Sequence, residues 1–217
     1  MSTVTKLVLG TMGKLHPMPA TSPSPDSLVL PPPQTSGGTG LMQALAERRS
    51  EREFSRQPLP LPLLSNLLWA AFGVNRLDGG RTAPSALNAQ EVEVFVALPT
   101  GAYRYDAAVH ALQLVAGTDV RRVTGYQDFV DDAPMDLVYV AHYPRLAAVP
   151  VAQREAYAHV AAGAIAQNVY LFAAANGLAT VIRAWIDREA ISAALGLSHD
   201  HQVMLSQTVG YPKPKAP

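Results

Sequence analysis

The 217-residue sequence contains no cysteine. This absence excludes disulfide bonds, thiolate metal sites and cysteine nucleophiles, and it gives no indication of an oxidising compartment. The chain also lacks a net charge, because 17 basic residues balance 17 acidic ones. A protein that neutralises many nucleic-acid phosphates needs a basic excess. We therefore expect no nucleic-acid partner and predict that the chain binds a small molecule.

The amino-terminal segment lacks a long hydrophobic run. Its apolar residues 7–9 are too few for the core of a signal peptide or for a membrane span, so we predict a cytoplasmic protein with no membrane partner. Residues 16–40 hold seven prolines and then a glycine-rich piece, a composition that disfavours helices and central strands. We predict an irregular arm over residues 1–38, lying along a second subunit, and one domain over residues 39–217.

Apolar periodicity and turn residues divide the domain into helices and strands. Helices are predicted over about residues 40–49, with Thr39 as N-cap, and over 63–72, 151–176 and 187–195. Strands are predicted over residues 92–98, 103–106, 111–115, 135–142, 178–186 and 203–209. This order indicates an α+β fold with a mainly antiparallel or mixed sheet flanked by helices. The alanine-rich helix at 151–176 is expected to be buried nearly all round.

A cluster of arginines follows the first helix of the domain. Arg48, Arg49 and Arg52 lie within five residues, and Ser50 lies between them. Forked guanidinium donors and a hydroxyl can surround a phosphate from several sides. Arginines in a last helical turn also complement the helix dipole as a solvated, charged end. The stretch by itself leaves both interpretations open.

A small, polar loop over residues 81–90 precedes the strand at 92–98. Asn88 and Gln90 can each donate and accept hydrogen bonds, which suits the edge of a heterocycle that carries both C=O and N–H groups. The alternative is an Asx-type turn that only shapes the chain. Loops that lead into strands often carry binding residues.

Other chemistry finds little support in the sequence. His199 and His201 have no obvious third ligand, and the remaining histidines are scattered, so no metal site is expected. No Gly-x-Ser-x-Gly elbow is present, and the glycine cluster at residues 37–40 follows no strand and lacks the Lys-Ser/Thr ending of a phosphate loop. A cofactor site is the chemistry that remains.

Several motifs occur in register between about residues 39 and 213: residues 48–54, 83–90, 166–168, 177–180 and 210–212, together with Gly163. Together they resemble the FMN-dependent nitroreductase family. Residues 103–106 and 127–134 further resemble the branch that includes the azoline oxidases of thiazole and oxazole peptide biosynthesis. The Lys-Tyr pair that these oxidases carry ahead of the long helix is absent here.

The resemblance implies a domain-intertwined homodimer with two FMN sites, each built from both chains. The residues that match phosphate and ribityl contacts are Arg48, Ser50 and Arg52, and Arg49 is positioned toward the flavin ring. The residues that match the ring-covering loop of the other subunit are Pro84, Ser85, Ala86 and Asn88. Ile182, Arg183 and Ala184 match the strand whose backbone N–H approaches flavin N5, and Lys213 matches a basic residue near the carboxyl end.

The function that the resemblance implies is a ping-pong cycle. NAD(P)H would donate hydride to FMN, and a nitroaromatic or quinone acceptor would then take its place, without an acid or base side chain. Arg49 would stabilise the reduced flavin and Asn88 would hold its ring. The alternatives are an oxidase of an azoline or small metabolite and a non-catalytic flavin-binding protein. Relatives often have glycine near position 183, so Arg183 is expected to project over the flavin, blocking or shaping the substrate site, or outward into solvent.

Overall fold

The computed structural model describes residues 1–214 and centres on one antiparallel sheet. In chain order the strands are β1 (Met18–Pro19), β2 (Ser27–Val29), β3 (Val92–Leu98), β4 (Gly101–Asp106), β5 (Ala111–Ala116), β6 (Thr118–Asp119), β7 (Met135–His142), β8 (Ala179–Arg183) and β9 (His201–Gly210). Seven of them form the sheet in the order β2-β5-β4-β3-β7-β9-β8, while β1 and β6 pair separately. β8 is therefore a terminal strand of the sheet.

Helices cover both faces of this sheet. They are α1 (Thr3–Thr11), α2 (Leu41–Glu47), α3 (Leu61–Phe72), α4 (Val151–Ala175) and α5 (Arg188–Ala194). Side chains of α3 and α4 form one core with alternate strand residues such as Val94 and Tyr139. Side chains of α5 form a second core with the intervening residues, including Phe95 and Val138. The period-2 alternation of strands explains the two cores, and the predicted α+β class is confirmed.

The predicted elements agree with the structure where apolar periodicity and turn residues coincide. The strands at 92–98 and 135–142 have their predicted bounds, and α3 carries Pro62 in its first turn and ends at Gly73. Gly177 adopts a φ of +65° just after α4, as expected of a helix stop. The predicted N-cap is wrong, because α2 is capped by Gly40 while Thr39 donates to the carbonyl oxygen of Ala175.

The amino-terminal segment is more ordered than predicted. The prolines disfavour helix only from residue 17 onward, whereas α1 precedes them and begins at the capping side chain of Ser2. Lys6 of α1 is fully buried, and its ammonium lies 2.7 Å from Asp131 and 3.1 Å from the carbonyl oxygen of Gln127. The segment thus packs on its own domain, and a contact with a second subunit stays a prediction.

Helix α4 is only partly buried, which differs from the expectation that it is enclosed all round. Ala158, Ala162 and Ile165 are fully buried against the domain, whereas Val160 is 73% exposed. By length and composition alone α4 could cross a membrane, but it contacts α2, α3, β8 and β9. One side of α4 packs on the core, and the exposed side carries apolar residues such as Val160 together with polar ones such as His159 and Gln167.

We predict that Lys6→Met destabilises the domain by about 1–3 kcal/mol, because the carbonyl groups and the carboxylate around the ammonium lose a buried donor. Lys14→Met, which changes an exposed lysine just beyond the same helix, is the matched control and should leave the stability within about 0.5 kcal/mol. Urea unfolding of the two variants measures the difference. Equal midpoints would contradict a stabilising role of the buried Lys6 contacts.

Candidate functional site

A cleft of about 560 Å³ lies beside the outer edge of β8. It is lined by the end of α2 and the following residues, by the last turns of α4, by the start of β8 and by Pro212. Its volume falls within the roughly 300–1,000 Å³ range of small-molecule sites. Among the described strands only β9 pairs with β8, so the backbone groups on the other edge of β8 face this region.

An extended segment after α2 runs along the exposed edge of the sheet. Arg48 is the C-cap of α2, and the N–H of Glu51 donates to the carbonyl oxygen of Thr180 in β8 at 3.0 Å. Farther along, Phe54 bridges to Pro212, and the N–H of Lys213 donates to the carbonyl oxygen of Glu53. These backbone bonds fix the arginine cluster at the mouth of the cleft.

Tyr170 of α4 joins this segment to β8. Its hydroxyl lies 2.7 Å from the Ser50 hydroxyl and accepts the N–H of Ile182 at 3.0 Å. The guanidinium carbon of Arg48 lies 5.3 Å from the centroid of the Tyr170 ring, a cation–π contact. The sequence did not single out Tyr170, and its only signal was a phenol within an alanine-rich helix.

The basic side chains divide between two neighbouring depressions. Arg48 and Arg49 line the cleft, and Arg49 pairs with Glu51 at 3.1 Å. Arg52 and Lys213 line an adjoining depression of about 350 Å³. Within residues 1–214, neither Arg48 nor Arg52 has a carboxylate at ion-pair distance, as Arg49 and Arg56 have. Such arginines keep their forked donors for an anionic ligand.

Arg183 corrects the prediction that its side chain projects over the flavin or into solvent. It is only 6% exposed. Its guanidinium lies 2.6 Å from the Asp136 carboxylate and 2.8 Å from the Thr208 hydroxyl, and it donates to the carbonyl oxygen of Thr124 at 3.0 Å. Burial raises the pKa of Asp136 and lowers the pKa of Arg183, while the attraction between the two charges opposes both shifts.

Strand alternation explains this orientation. Arg183 shares a face of β8 with Ala179 and Val181, and those two residues pack in a small core with Phe54 and Ala133. Its guanidinium carbon lies 5.8 Å from the ring centroid of Phe129, which packs against the same core. Ile182 and Ala184, in contrast, are half-buried and exposed respectively. The side chain of Arg183 therefore belongs to the interior, although its backbone lies in the terminal strand.

The loop that holds Pro84, Ser85, Ala86 and Asn88 is not brought to the cleft of its own chain. Asn168 of α4 donates to the carbonyl oxygen of Thr82 at the start of this loop, whereas Tyr170 lines the cleft. Residues two positions apart on an α-helix, such as Asn168 and Tyr170, point in directions roughly 160° apart. The loop and the cleft thus lie on opposite sides of α4 within one chain.

The conformation of this loop is held by its own polar groups. Ser85 accepts the N–H of Gln90 at 2.7 Å, and the Gln90 amide bonds Arg81 and Asn88. The proposed role of Gln90 at a heterocycle edge is therefore not supported, since its amide is engaged inside the loop. Leu87, Asn88 and Gln90 have φ values of +55°, +51° and +51°, and left-handed backbone at non-glycine residues is often found at functional sites.

Comparisons with known proteins agree with this geometry. The family model described as "Nitroreductase family" matches residues 45–211. The structure of a nitroreductase-family protein from Ralstonia eutropha JMP134 is 48% identical, covers 93% of this chain and 96% of that one, and superposes with a TM-score of 0.89. A curated nitroreductase-family protein from Methanocaldococcus jannaschii is 34% identical over 160 residues, which are 69% of this chain and 81% of that protein.

A more distant structure shares the fold. The NADPH:FMN oxidoreductase of Vibrio harveyi, solved in complex with NAD⁺, is 21% identical over 82% of this chain and 73% of that one, with a TM-score of 0.59. At this identity the likeness concerns the arrangement of helices and strands. It agrees with the predicted sheet flanked by helices.

We predict that Arg183→Met lowers the stability of the domain by about 3–5 kcal/mol, because it leaves the Asp136 carboxylate buried without its cation. Arg56→Met removes an Arg–Asp pair of similar length at the surface, and exposed pairs contribute only about 0–1 kcal/mol. Urea unfolding of both variants compares the two pairs. A loss of equal size in both would contradict the assignment of Arg183 to a buried anchor.

Proposed function

The chain belongs to the nitroreductase family of flavin-dependent oxidoreductases, and we propose that it binds FMN and uses NAD(P)H to reduce electron-poor acceptors such as nitroaromatics and quinones. The observation that carries the proposal is the pair of arginines Arg48 and Arg52, which have no carboxylate partner among residues 1–214 and lie beside a cleft at an open strand edge. The NADPH:FMN activity named for the Vibrio harveyi protein supports the choice of cofactor and donor.

The donor set beside the cleft suits a phosphate monoester. Arg48 lines the cleft, and both Arg48 and Ser50 contact Tyr170, while Arg52 and Lys213 lie together in the adjoining depression. Guanidinium, ammonium and hydroxyl groups are the side chains that hold phosphate by charge-assisted hydrogen bonds. We assign these four residues to the phosphate and ribityl chain of FMN.

The edge of β8 suits the ring of the cofactor. When bound, FMN supplies hydride acceptance and donation at N5, and the protein contributes binding and electrostatics. The backbone of Ile182, Arg183 and Ala184 would lie along the ring, and Tyr170 holds this edge because its hydroxyl accepts the Ile182 N–H. Arg49 is exposed and, among residues 1–214, pairs only with Glu51, so its charge can turn toward a ring that becomes anionic.

The site is proposed to be completed by a second copy of the chain. One chain places the Pro84–Asn88 loop on the far side of α4 from its cleft, so the loop can cover a flavin only in a partner. Leu41, Met42, Leu87 and Val160 are 63–77% exposed, and apolar side chains exposed in this way are typical of an interface. Dimers are also typical of the family. We therefore propose a homodimer in which Ser85, Ala86 and Asn88 cover the partner's flavin.

This assignment disfavours the non-catalytic alternative. That alternative required the Arg183 side chain to block the face where nicotinamide stacks. The guanidinium instead lies inside the domain with Asp136, so nothing in the position of Arg183 opposes access by NAD(P)H. A cytoplasmic location stays a prediction.

We predict that Arg48→Ala and Arg52→Ala each weaken FMN binding by about tenfold or more, since each removes a charge-assisted hydrogen bond of about 1.5–3 kcal/mol. The affinity of the same variants for riboflavin, which lacks the phosphate, should fall by less than about threefold. Flavin fluorescence titrations of both ligands measure the difference, and Arg76→Ala, at an exposed arginine in another loop, is the control. An equal loss for both flavins would contradict the phosphate assignment, and a protein that takes up no FMN would contradict the proposed function.

Hybrid dimers test whether each site uses two chains. One subunit carries Arg48→Ala and Arg52→Ala, and the other carries Asn88→Trp, which obstructs the proposed ring-covering loop. If the site is composite, both altered homodimers are nearly inactive in NADPH oxidation with a quinone, while the hybrid retains about half the wild-type rate because one of its two sites is intact.

A hybrid as inactive as the two homodimers would contradict the composite site. Two differently tagged subunits that both carry the arginine substitutions provide the control for subunit exchange. Rapid reoxidation by oxygen with poor use of NADPH would instead favour the oxidase alternative.

A further inference from the structure

Three side chains that can bind metal ions meet at the end of β9 opposite to the cleft. His142 is the last residue of β7, and His201, the first residue of β9, is its direct partner across the strands. Glu93 lies near the start of the neighbouring strand β3. One nitrogen of each imidazole and one carboxylate oxygen all lie within 4.8 Å of one another. Motif spacing does not indicate this cluster, because its members are distant along the chain and only strand pairing brings them together.

The carboxylate of Glu93 is held with one oxygen toward the histidines. Its side chain is 8% exposed, and Oε1 accepts from Arg145 at 2.8 Å and from Arg104 at 3.3 Å. The other oxygen, Oε2, lies 3.7 Å from Nε2 of His201. The Nδ1 atom of His201 bonds the Ser198 hydroxyl at 2.8 Å. Hydrogen bonds to the far side of a ligand are typical of metal sites, because they orient the atom that binds.

The side chain of His142 also supports a ligand at this cluster. Its Nδ1 atom is buried and has no hydrogen-bond partner among residues 1–214. Its ring stacks on that of His201, with centroids 4.5 Å apart and an angle of 7° between the planes. A buried polar atom without a protein partner requires an explanation, and ion binding is one of the recognised explanations.

We propose that Glu93, His142 and His201 bind a divalent metal ion of the zinc class, with water completing the coordination. Two imidazoles and one carboxylate form an established ligand set for Zn²⁺, with metal–ligand distances of roughly 2.0–2.2 Å. Ligand atoms around a tetrahedral ion of this size lie roughly 3.4 Å apart. Binding therefore contracts the cluster by about 1 Å and tilts the two rings out of their parallel stack, since a metal–nitrogen bond lies in the plane of the imidazole.

The ion would join three neighbouring strands and would act on the stability of the sheet. The ten residues from His201 to Gly210 span roughly 30 Å along β9, and the cleft lies beyond the far end of this strand, next to Pro212. The charges of Arg104 and Arg145 reduce the affinity for a cation, while their bonds keep Oε2 in place. The proposal does not depend on flavin binding or turnover.

Zinc binding to the purified protein, as it is isolated, tests the proposal. After treatment with a chelator and its removal, calorimetric titration with ZnCl₂ should give one equivalent per chain and a rise in the unfolding temperature. His142→Gln, His201→Gln and Glu93→Gln should each weaken the affinity by at least about tenfold. His199→Gln is the matched control, because His199 is in the same segment but its side chain is 92% exposed, and its affinity should equal that of the wild type.

A measurement on the wild-type chain covers the case in which a variant fails to fold. Zn²⁺ should shift the imidazole NMR signals of two of the six histidines, and neither should be the signal that His199→Gln removes. The proposal would be overturned if Zn²⁺ showed no saturable binding or if binding were lost in His199→Gln. Unchanged affinity in both His142→Gln and His201→Gln would also overturn it.

Discussion

The open edge of β8 is the constraint on which the candidate site depends. A terminal strand leaves half of its backbone N–H and C=O groups without a strand partner, and such groups must be bonded in another way or left to water or ligand. In this protein two different parts of the chain form hydrogen bonds with the backbone at the open edge of β8. The segment after α2 donates to Thr180, and the phenol of Tyr170 accepts from Ile182. The arginine cluster is held beside the cleft because it belongs to that segment.

Strand alternation directs the side chains of alternate β8 residues into the interior of the domain. Ala179, Val181 and Arg183 face a small interior core, and the Arg183 guanidinium finds Asp136 and Thr208 there. A buried arginine of this kind anchors a strand, because removal of either partner leaves an uncompensated charge. The Arg183 side chain therefore does not occupy the edge of β8 that faces the cleft. Its ion pair with Asp136 fixes the position of the strand.

The two halves of the proposed flavin site lie on opposite sides of α4. This arrangement explains why one chain shows a cleft with basic side chains but no covering loop. It also gives a role to the exposed apolar residues of α2 and α4, which a single chain has no means to bury. The left-handed residues of the loop at 84–90 are braced by Ser85 and Gln90, so the loop is shaped before any partner is bound. A braced loop loses less conformational entropy on association.

Local sequence patterns were enough to predict the elements with strong periodicity, such as β3, β7 and α3, because their burial pattern and turn residues are local properties. The sequence also predicted the arginine cluster and the polar loop as site residues, which stays a prediction, whereas the family is confirmed. Three features depended on tertiary structure. The burial of Arg183 depends on which face of β8 meets Asp136, and the meeting of Glu93, His142 and His201 depends on the pairing of three distant strands. The order of the amino-terminal segment depends on the buried contacts of Lys6. In each case the deciding contact joins residues far apart in the chain, and periodicity, propensity and motif spacing carry no information about such pairs.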